Sequence, residues 1–169
     1  MLIYDESGDH PALQAAEIIA RTGAKAELMT PERSLAPDIM ALNLVPYMRV
    51  LQPLGVTFTL ARRLLDIERH GNQLRAKIGS DYITDTQQRC FDQIVLNYGT
   101  MPLDELYFAL KPLSSNLGEV DHDALIAGRS QAIRSNPQGT FQLFRIGDAV
   151  SARNIHAAIY DALRLMKDL

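Results

Sequence analysis

The feature that most constrains the fold is a strand, a helix and a second strand within the first thirty residues. Residues 2–4 form a short apolar run, and residues 26–29 combine three apolar residues with Glu27. Between them Pro11 suits the first turn of a helix, small residues form one helical face, and Gly23 ends the helix. Such a unit is expected to be parallel and right-handed. It predicts an α/β protein built on a parallel sheet.

The pattern changes in the middle of the chain. Asn43 predicts the cap of a second helix, and residues 56–60 predict a third strand. Residues 64–69 and 73–78 then flank the turn residues His70-Gly71-Asn72, which is typical of a hairpin. Residues 82–96 supply one or two further strands. The sequence therefore predicts parallel crossovers that give way to an antiparallel β-meander.

The last thirty residues predict a strand, a corner and a long helix. Residues 141–146 are rich in aromatic and branched side chains and predict a buried strand, which Gly147 and Asp148 end. Asn154 can cap the following helix. The apolar residues that follow recur at helical spacing and predict a long amphipathic helix: Ile155, Ala158, Ile159, Ala162, Leu163 and Met166. Asp148 would then lie at the carboxyl end of a strand, where open α/β sheets bind ligands.

Composition excludes several classes of function. A chain of 169 residues with 47% hydrophobic and 22% charged residues is typical of a globular protein of one domain or two small interleaved ones. Its net charge of -3 provides no electrostatic footprint for nucleic acid or an anionic membrane. No apolar run approaches the roughly 20 residues of a membrane span. Because a strand begins at Met1 itself, we expect a fragment of something longer.

The cysteine and histidine residues indicate a cytoplasmic protein and predict no metal site. The single cysteine, Cys90, excludes an internal disulfide and fits a reducing compartment. It lies in a predicted strand without a second cysteine nearby, which favours a packed or inert thiol. The four histidines are scattered without other ligand types at metal spacing, so no metal site is expected.

The turn after the first strand lacks the glycines of a dinucleotide site. A G-x-G-x-x-G fingerprint lets the backbone approach a pyrophosphate at a helix N-terminus. Here only Gly8 remains, and Asp5, Glu6 and Asp9 would repel a phosphate. These carboxylates with His10 also resemble an acid/base cluster, but no nucleophile or metal accompanies them, so a solvated turn is favoured. The turn argues against NAD(P)H.

Asp148 has the better functional case. A carboxylate at this place can accept a hydrogen bond from a ribose or ribitol hydroxyl, or it can simply cap the following turn, and position alone favours neither. Arg145, Arg153 and Asn154 could reach a phosphate at the helix start, although Arg145 is expected to face solvent. The simplest role of the larger aromatic side chains is in a core or an interface: Tyr107, Phe108 and Tyr160.

Three segments together resemble a known family. They are the opening Gly8-Asp9-His10-Pro11, the exit Tyr98-Gly99-Thr100-Met101-Pro102 and the corner Phe144-Arg145-Ile146-Gly147-Asp148. The chain resembles the C-terminal part of the Old Yellow Enzyme-like flavin/iron–sulfur oxidoreductases. That group includes trimethylamine dehydrogenase, dimethylglycine and N-methylproline demethylases, 2,4-dienoyl-CoA reductase and NADH:flavin oxidoreductases. The resemblance covers essentially the whole chain and is strongest to the amine-demethylating branch.

The resemblance implies a fold and a division of the chain. The fold is a Rossmann-like three-layer parallel sheet with an antiparallel β-meander, as in the nucleotide-binding domains of glutathione-reductase-type flavoproteins. Residues 1–97 would be an NAD(P)-binding-like domain, and residues 98–169 the returning segment of an FAD/ADP-binding-like domain. The implied cofactor-binding residues of this partial FAD or ADP site are these: Asp148, Gly147, Asn154, Gly99 and Gly8.

The resemblance also implies what lies outside the chain. FMN and a [4Fe-4S] cluster would belong to an N-terminal barrel of the same polypeptide, so no catalytic residue or metal ligand is expected here. The expected function is that of a nucleotide-binding-like domain helping electron transfer to or from that barrel. An electron-transfer flavoprotein is an implied partner, and exposed surfaces such as the last helix could form a homo-oligomer. The alternative is a non-catalytic interaction domain that has lost its nucleotide.

Overall fold

The computed structural model describes residues 1–167 and shows two compact units. The N-terminal unit runs from Met1 to Gly99, and the C-terminal unit begins at Thr100. The described strands, all in the N-terminal unit, are β1 (Leu2–Asp5), β2 (Glu27–Met29), β3 (Thr57–Thr59), β4 (Arg63–His70), β5 (Gln73–Gly79), β6 (Gln87–Phe91) and β7 (Ile94–Asn97). No helix among the described residues is long and apolar enough to cross a membrane.

A four-stranded parallel sheet organises the N-terminal unit. Its strand order is β3-β2-β1-β7, so β1 lies between two neighbours. Ile3 aligns with Leu28 of β2 and with Val95 of β7. Since all four strands run the same way, their carboxyl ends meet at one edge of the sheet. Every residue of β1 is buried, as expected of a central strand in a covered parallel sheet.

Two helices cover one face of this sheet, α1 (His10–Arg21) and α2 (Met40–Leu51). Ile3 and Leu28 pack with Leu13 and Leu51 in the core on this face. The predicted Asn43 cap is wrong, because a short 3-10 turn leads straight into α2 three residues earlier. Asn43 lies inside the helix, and its side-chain nitrogen donates to the Ile39 carbonyl at 2.8 Å.

The antiparallel sheet β4-β5-β6 covers the opposite face. Leu2 and Tyr4, which alternate with Ile3 along β1, pack there against residues of the meander such as Ile78 and Phe91. The predicted α/β fold, a parallel sheet with an antiparallel β-meander, is confirmed. Cys90 lies on β6 at the edge of the meander and is exposed, so of the two predicted alternatives, a packed or an inert thiol, the packed one is excluded.

The described part of the C-terminal unit contains three α-helices, namely α3 (Glu105–Leu110), α4 (His122–Ile126) and α5 (Ile155–Met166). The buried strand predicted at residues 141–146 is wrong, since no strand is described in this unit to pair with it. Ser115 instead donates its backbone N–H to the Phe141 carbonyl at 2.7 Å. The Asn116 side chain holds Leu143 through two bonds of 2.8 Å. The backbone of Phe141 and Leu143 therefore forms hydrogen bonds with a loop instead of with a neighbouring strand.

Helix α5 begins where the sequence predicts but buries a different side. The Asn154 side-chain oxygen accepts the Ala157 N–H at 2.9 Å, which confirms the predicted cap. The large residues of the predicted apolar face are more than half exposed: Ile155, Ile159, Leu163 and Met166. Leu165 is buried instead. The predicted apolar face therefore stays largely exposed, because the described residues of this unit do not cover it.

Candidate functional site

The turn at the carboxyl end of β1 contains a carboxylate that binds the turn itself. One oxygen of Asp5, Oδ1, accepts the backbone N–H groups of Ser7 at 3.1 Å and Gly8 at 3.2 Å. The Asn97 side chain donates to the same oxygen at 2.9 Å. Asn97 is the β7 residue aligned with Asp5 across the sheet. Two amides of the turn where a dinucleotide phosphate would bind are therefore already bound to an internal carboxylate.

Asp5 is fully buried, with 0% of its surface exposed. Its second oxygen, Oδ2, has no hydrogen-bond partner among the described residues. Burial raises the pKa of Asp5 above its ordinary value, and the nearby charge of Asp9 adds to the effect, against the opposing hydrogen bonds. The prediction of a solvated turn is thus wrong for Asp5. The sequence could have indicated its partner, since Asn97 ends a strand too.

The other two carboxylates of the turn also have internal partners. Glu6 accepts the Tyr4 hydroxyl at 2.8 Å and a guanidinium N–H of Arg63 at 2.7 Å. Burial and the hydrogen bond to Glu6 raise the pKa of the Tyr4 phenol. Asp9 accepts the His10 backbone N–H at 2.6 Å and so caps α1. The carboxylates of this turn therefore bind backbone and side-chain groups of the protein itself.

Gly8 closes the turn against the loop before α2. Its φ of +69° lies in the left-handed region, and its carbonyl accepts the Asp38 N–H at 3.0 Å. A Cβ atom at this position would lie only 2.9 Å from Cδ of Pro37. The glycine thus permits close packing of the chain on itself. A pyrophosphate does not fit this arrangement, since the amides are bound to Asp5 and the approach is packed.

The Gly147–Asp148 corner lies in the C-terminal unit and is fastened to α5. Gly147 is buried with a φ of +56°. Its N–H donates to Oδ2 of Asp161 at 3.2 Å, and a Cβ atom here would lie 3.2 Å from Cβ of Ala158. Sequence reasoning missed Asp161, which stands inside a helix without a local motif. The close approach explains why a residue without a side chain occupies this corner.

Asp148 itself is exposed, and its side chain makes no hydrogen bond with residues 1–167. The short turn that contains it is closed by the backbone, with Val150 N–H donating to the Gly147 carbonyl at 2.9 Å. The alternative of a capping role is therefore not what this geometry shows. Asn154 uses its side-chain oxygen for the cap of α5 and retains an amide nitrogen with two donors. Both side chains can meet a ligand.

Two arginines near this corner already have partners. Arg145 donates to Asp104 at 2.9 Å, and its guanidinium carbon lies 4.8 Å from the centre of the Tyr107 ring. The expectation that Arg145 faces solvent is wrong. Arg153 pairs with Asp161. Among the aromatic residues expected in a core or interface, Phe108 and Tyr160 are more than half exposed, so a core role is excluded for them.

The predicted cofactor residues fall into separate places. Gly147, Asp148 and Asn154 lie within eight residues of each other in the C-terminal unit, at the start of α5. Gly8 lies in the closed turn of the N-terminal unit. Gly99 is exposed at the end of that unit with a φ of +97°, and a Cβ atom there would contact nothing within 4 Å. Gly99 therefore serves the backbone conformation.

Solved structures show the class of fold. Histamine dehydrogenase from Rhizobium sp. 4-9 matches with a TM-score of 0.66 at 20% identity, covering 96% of this chain and 22% of that chain. The HOCl-induced flavoprotein disulfide reductase RclA from Escherichia coli matches with a TM-score of 0.58 at 15% identity, covering 95% of this chain and 33% of that chain. The fold is thus one found within oxidoreductases, including a flavoprotein disulfide reductase, as predicted.

Sequence comparison identifies particular relatives, although no family model matches the chain. A probable N-methylproline demethylase of Rhizobium meliloti (strain 1021) is 64% identical over 100% of this chain. The N,N-dimethylglycine/sarcosine dehydrogenase of Chromohalobacter salexigens is 35% identical over 99% of it. The chain spans 25% of the length of each. The predicted resemblance is confirmed: this chain is homologous to one part of these demethylating and dehydrogenating enzymes.

Proposed function

We propose that this chain is the nucleotide-binding-like, C-terminal domain of a flavin-dependent demethylase or amine dehydrogenase. In this proposal the Gly147–Asp148 corner forms half of an FAD or ADP site. Asp148 accepts a ribose or ribitol hydroxyl, and the Asn154 amide donates to a phosphate. The reaction itself takes place on FMN in a barrel elsewhere in the same cytoplasmic polypeptide. A nucleotide bound at the corner has one of two roles. ADP would anchor the domain, whereas the flavin of FAD would transfer electrons.

One contrast carries the proposal. Every carboxylate of the first turn is bound to the protein's own groups, whereas the Asp148 carboxylate is exposed and makes no hydrogen bond within residues 1–167. A carboxylate held on a rigid corner without internal partners is available to an external donor. The buried N–H of Gly147 on Asp161 keeps that corner in place.

The second part of the proposal concerns NAD(P)H and follows from the turn after β1, whose amides are bound to Asp5. A dinucleotide phosphate placed there would displace the Asp5 carboxylate from Ser7 and Gly8 and would meet Pro37. We therefore assign no NAD(P)H site to the N-terminal unit. Electrons would instead pass between the FMN barrel and a protein such as an electron-transfer flavoprotein.

Amide chemical shifts of the labelled chain test the proposal residue by residue. Titration with ADP should shift the amides of residues 147–149 and 154–157 and leave those of residues 7–12 unchanged. Asp148→Ala should weaken ADP binding roughly ten-fold, the effect of one hydrogen bond to a charged group. NADH should bind no more tightly than ADP, because its nicotinamide half would gain no contact.

A matched control is available on another helix of the same unit. Asp123 is also an exposed carboxylate, in the first turn of α4, so Asp123→Ala removes the same charge and should leave ADP binding unchanged. NADH-dependent shifts in residues 7–12 would contradict the closed turn. ADP binding that Asp148→Ala leaves intact would contradict the role of the corner.

The second candidate function is a non-catalytic interaction domain without a nucleotide. The filled first turn favours it, since this turn has no place for an outside anion. It predicts that neither ADP nor FAD shifts any amide of the corner at millimolar concentration. Because the corner is half of the proposed site, the titration separates the two candidates when it is made on the full-length polypeptide, which would contain the other half.

A further inference from the structure

The C-terminal unit contains a cavity that the proposed nucleotide corner does not use. Its volume is ≈ 380 Å³, and neither Asp148 nor Asn154 lines it. That volume lies within the range of small-molecule sites, about 300–1,000 Å³. The cavity lies between α4, the segment after residue 144 and the second half of α5. Its apolar wall consists of Val120, Leu125, Ile146, Val150 and Leu165.

The polar groups of the cavity carry an excess of positive charge. Arg145, Arg153 and Arg164 line it, with Asp161 as the acidic residue of the lining. Asp161 balances Arg153 through their ion pair. The partner of Arg145 is Asp104, which is outside the lining. Arg164 is therefore the lining cation without a carboxylate partner in residues 1–167, and it faces a largely apolar space, which favours an anion with an apolar body.

The arginines are held in place before any ligand arrives. Arg145 stacks over the rings of Tyr107 and Phe108, at 4.8 and 5.4 Å from their centres. Arg164 lies 5.5 Å from the centre of the Tyr160 ring and forms no ion pair with a carboxylate of residues 1–167. Stacking restricts a guanidinium without satisfying its N–H donors. Arg145 uses one N–H group on Asp104, and its other donors and those of Arg164 make no side-chain hydrogen bond within residues 1–167 and can bind a carboxylate.

We propose that this cavity binds a small amphipathic monocarboxylate. Its carboxylate would accept hydrogen bonds from Arg164 and Arg145, and an apolar body of roughly eight carbons would pack on Leu125, Val150 and Leu165. A fully hydrophilic anion would leave that wall in water and gain little from it. An amine of the same shape would meet the cation of Arg164, which has no carboxylate partner within residues 1–167. The site is separate from the nucleotide corner and does not depend on it.

Titration calorimetry and amide shifts with octanoate test this site. Octanoate should bind at a ratio of one and shift the amides of Leu125, Val150 and Leu165. Octylamine, which has the same apolar body and the opposite charge, should bind at least ten-fold more weakly. Butyrate has four fewer methylenes and should also lose at least ten-fold, since each buried methylene contributes to affinity.

Variants separate the charge from the space. Arg164→Gln should weaken octanoate binding about ten-fold, the effect of one charge-assisted hydrogen bond. Val150→Trp should fill the cavity and abolish binding. Arg129→Gln removes an exposed arginine outside the lining and should change nothing. Asp148→Ala should also have no effect, which separates this site from the nucleotide corner.

Circular dichroism establishes that each variant is folded, and Arg164→Gln removes only an exposed charge. Absence of saturable octanoate binding to the wild-type chain would overturn the proposal. So would equal binding of octylamine, or an Arg164→Gln variant with unchanged affinity.

Discussion

At the scale of single residues, Asp5 supplies inside the protein what a phosphate supplies in an open dinucleotide site. Its Oδ1 collects three donors, from Ser7, Gly8 and Asn97. The buried Oδ2 has no partner in the described residues, and burial raises the pKa of the group. A neutral carboxyl at this position would lose none of the three hydrogen bonds. The acceptor oxygen therefore matters more than the charge.

Substitution of Asp5 tests this distinction. Asp5→Asn keeps the acceptor and the shape, and we expect its free energy of unfolding at pH 7 to be within about 1 kcal/mol of wild type. Asp5→Ala leaves three donors without an acceptor and should lose about 3 kcal/mol. Urea unfolding measures both. Equal losses in the two variants would show that the hydrogen bonds to Oδ1 are unimportant.

The same residue predicts a pH dependence. Because the pKa of Asp5 is raised in the folded state, its protonation favours folding. This contribution is complete below the ordinary carboxyl pKa of about 3.9 and is lost as pH rises through the folded-state pKa. Asp5→Asn should remove that decline when unfolding is followed from pH 4 upward. An unchanged pH profile in the variant would contradict the raised pKa.

Gly8 and Gly23 form a matched pair at this scale. Both have positive φ, +69° and +83°, but a Cβ atom at Gly8 would meet Pro37 at 2.9 Å and one at Gly23 would meet nothing within 4 Å. Gly23→Ala should therefore cost only the backbone term of about 1 kcal/mol. Gly8→Ala should cost at least about 1 kcal/mol more, as overpacking does. Thermal unfolding of both variants measures the difference; equal losses would indicate that the turn is open.

At the scale of elements, the apolar face that the sequence predicts for α5 is not the face that the helix buries. Leu165 is buried at 7% exposure, while Leu163, two residues earlier, is 64% exposed. The apolar residues from Ile155 to Met166 do lie along one side of the helix. The described part of the C-terminal unit does not cover them, so they contact water. Burial depends on the neighbouring elements, which periodicity does not specify.

Two leucine substitutions measure this orientation. Leu165→Ala should lower the free energy of unfolding by about 2–3 kcal/mol, since it removes a buried side chain. Leu163→Ala should change it by less than about 0.5 kcal/mol, as an exposed substitution does. Both place the same residue in the same helix, so helix propensity cancels. A larger loss at Leu163 than at Leu165 would show that α5 buries its predicted apolar face.

At the scale of the whole molecule, both hydrophobic cores lie inside the N-terminal unit. One joins the parallel sheet to α1 and α2, and the other joins it to the meander, and neither extends past Val95. A unit with its own cores is expected to fold by itself. The C-terminal unit is organised by loops and by α3, α4 and α5 instead, and it contains both proposed ligand sites.

A fragment of residues 1–99 tests this independence. We expect it to unfold cooperatively and to reproduce the amide shifts of the same residues in the longer chain, because its cores are complete. Residues near the new carboxyl terminus serve as the internal reference for end effects. A fragment without dispersed amide shifts would show that the cores require residues beyond Gly99.

Local sequence patterns are enough to predict the sheet and its two covering layers. Strand–helix–strand spacing in residues 2–29 and the turn at His70-Gly71-Asn72 are local signals, and local backbone preferences are enough to define parallel crossovers and a hairpin. The cap at Asn154 and the corner at Gly147 are local as well. Its family resemblance rested on short motifs of the same kind.

The contacts that those residues make depend on the tertiary structure. Residues 141–146 have the composition of a strand, but a strand needs a partner, and Ser115 and Asn116 bind their backbone instead. Asp5 and Asp148 are both carboxylates beside a glycine, yet one is buried among donors 92 residues away in sequence and the other is exposed. That difference arises from long-range packing, which no local pattern encodes, and it separates a structural carboxylate from one available to a ligand.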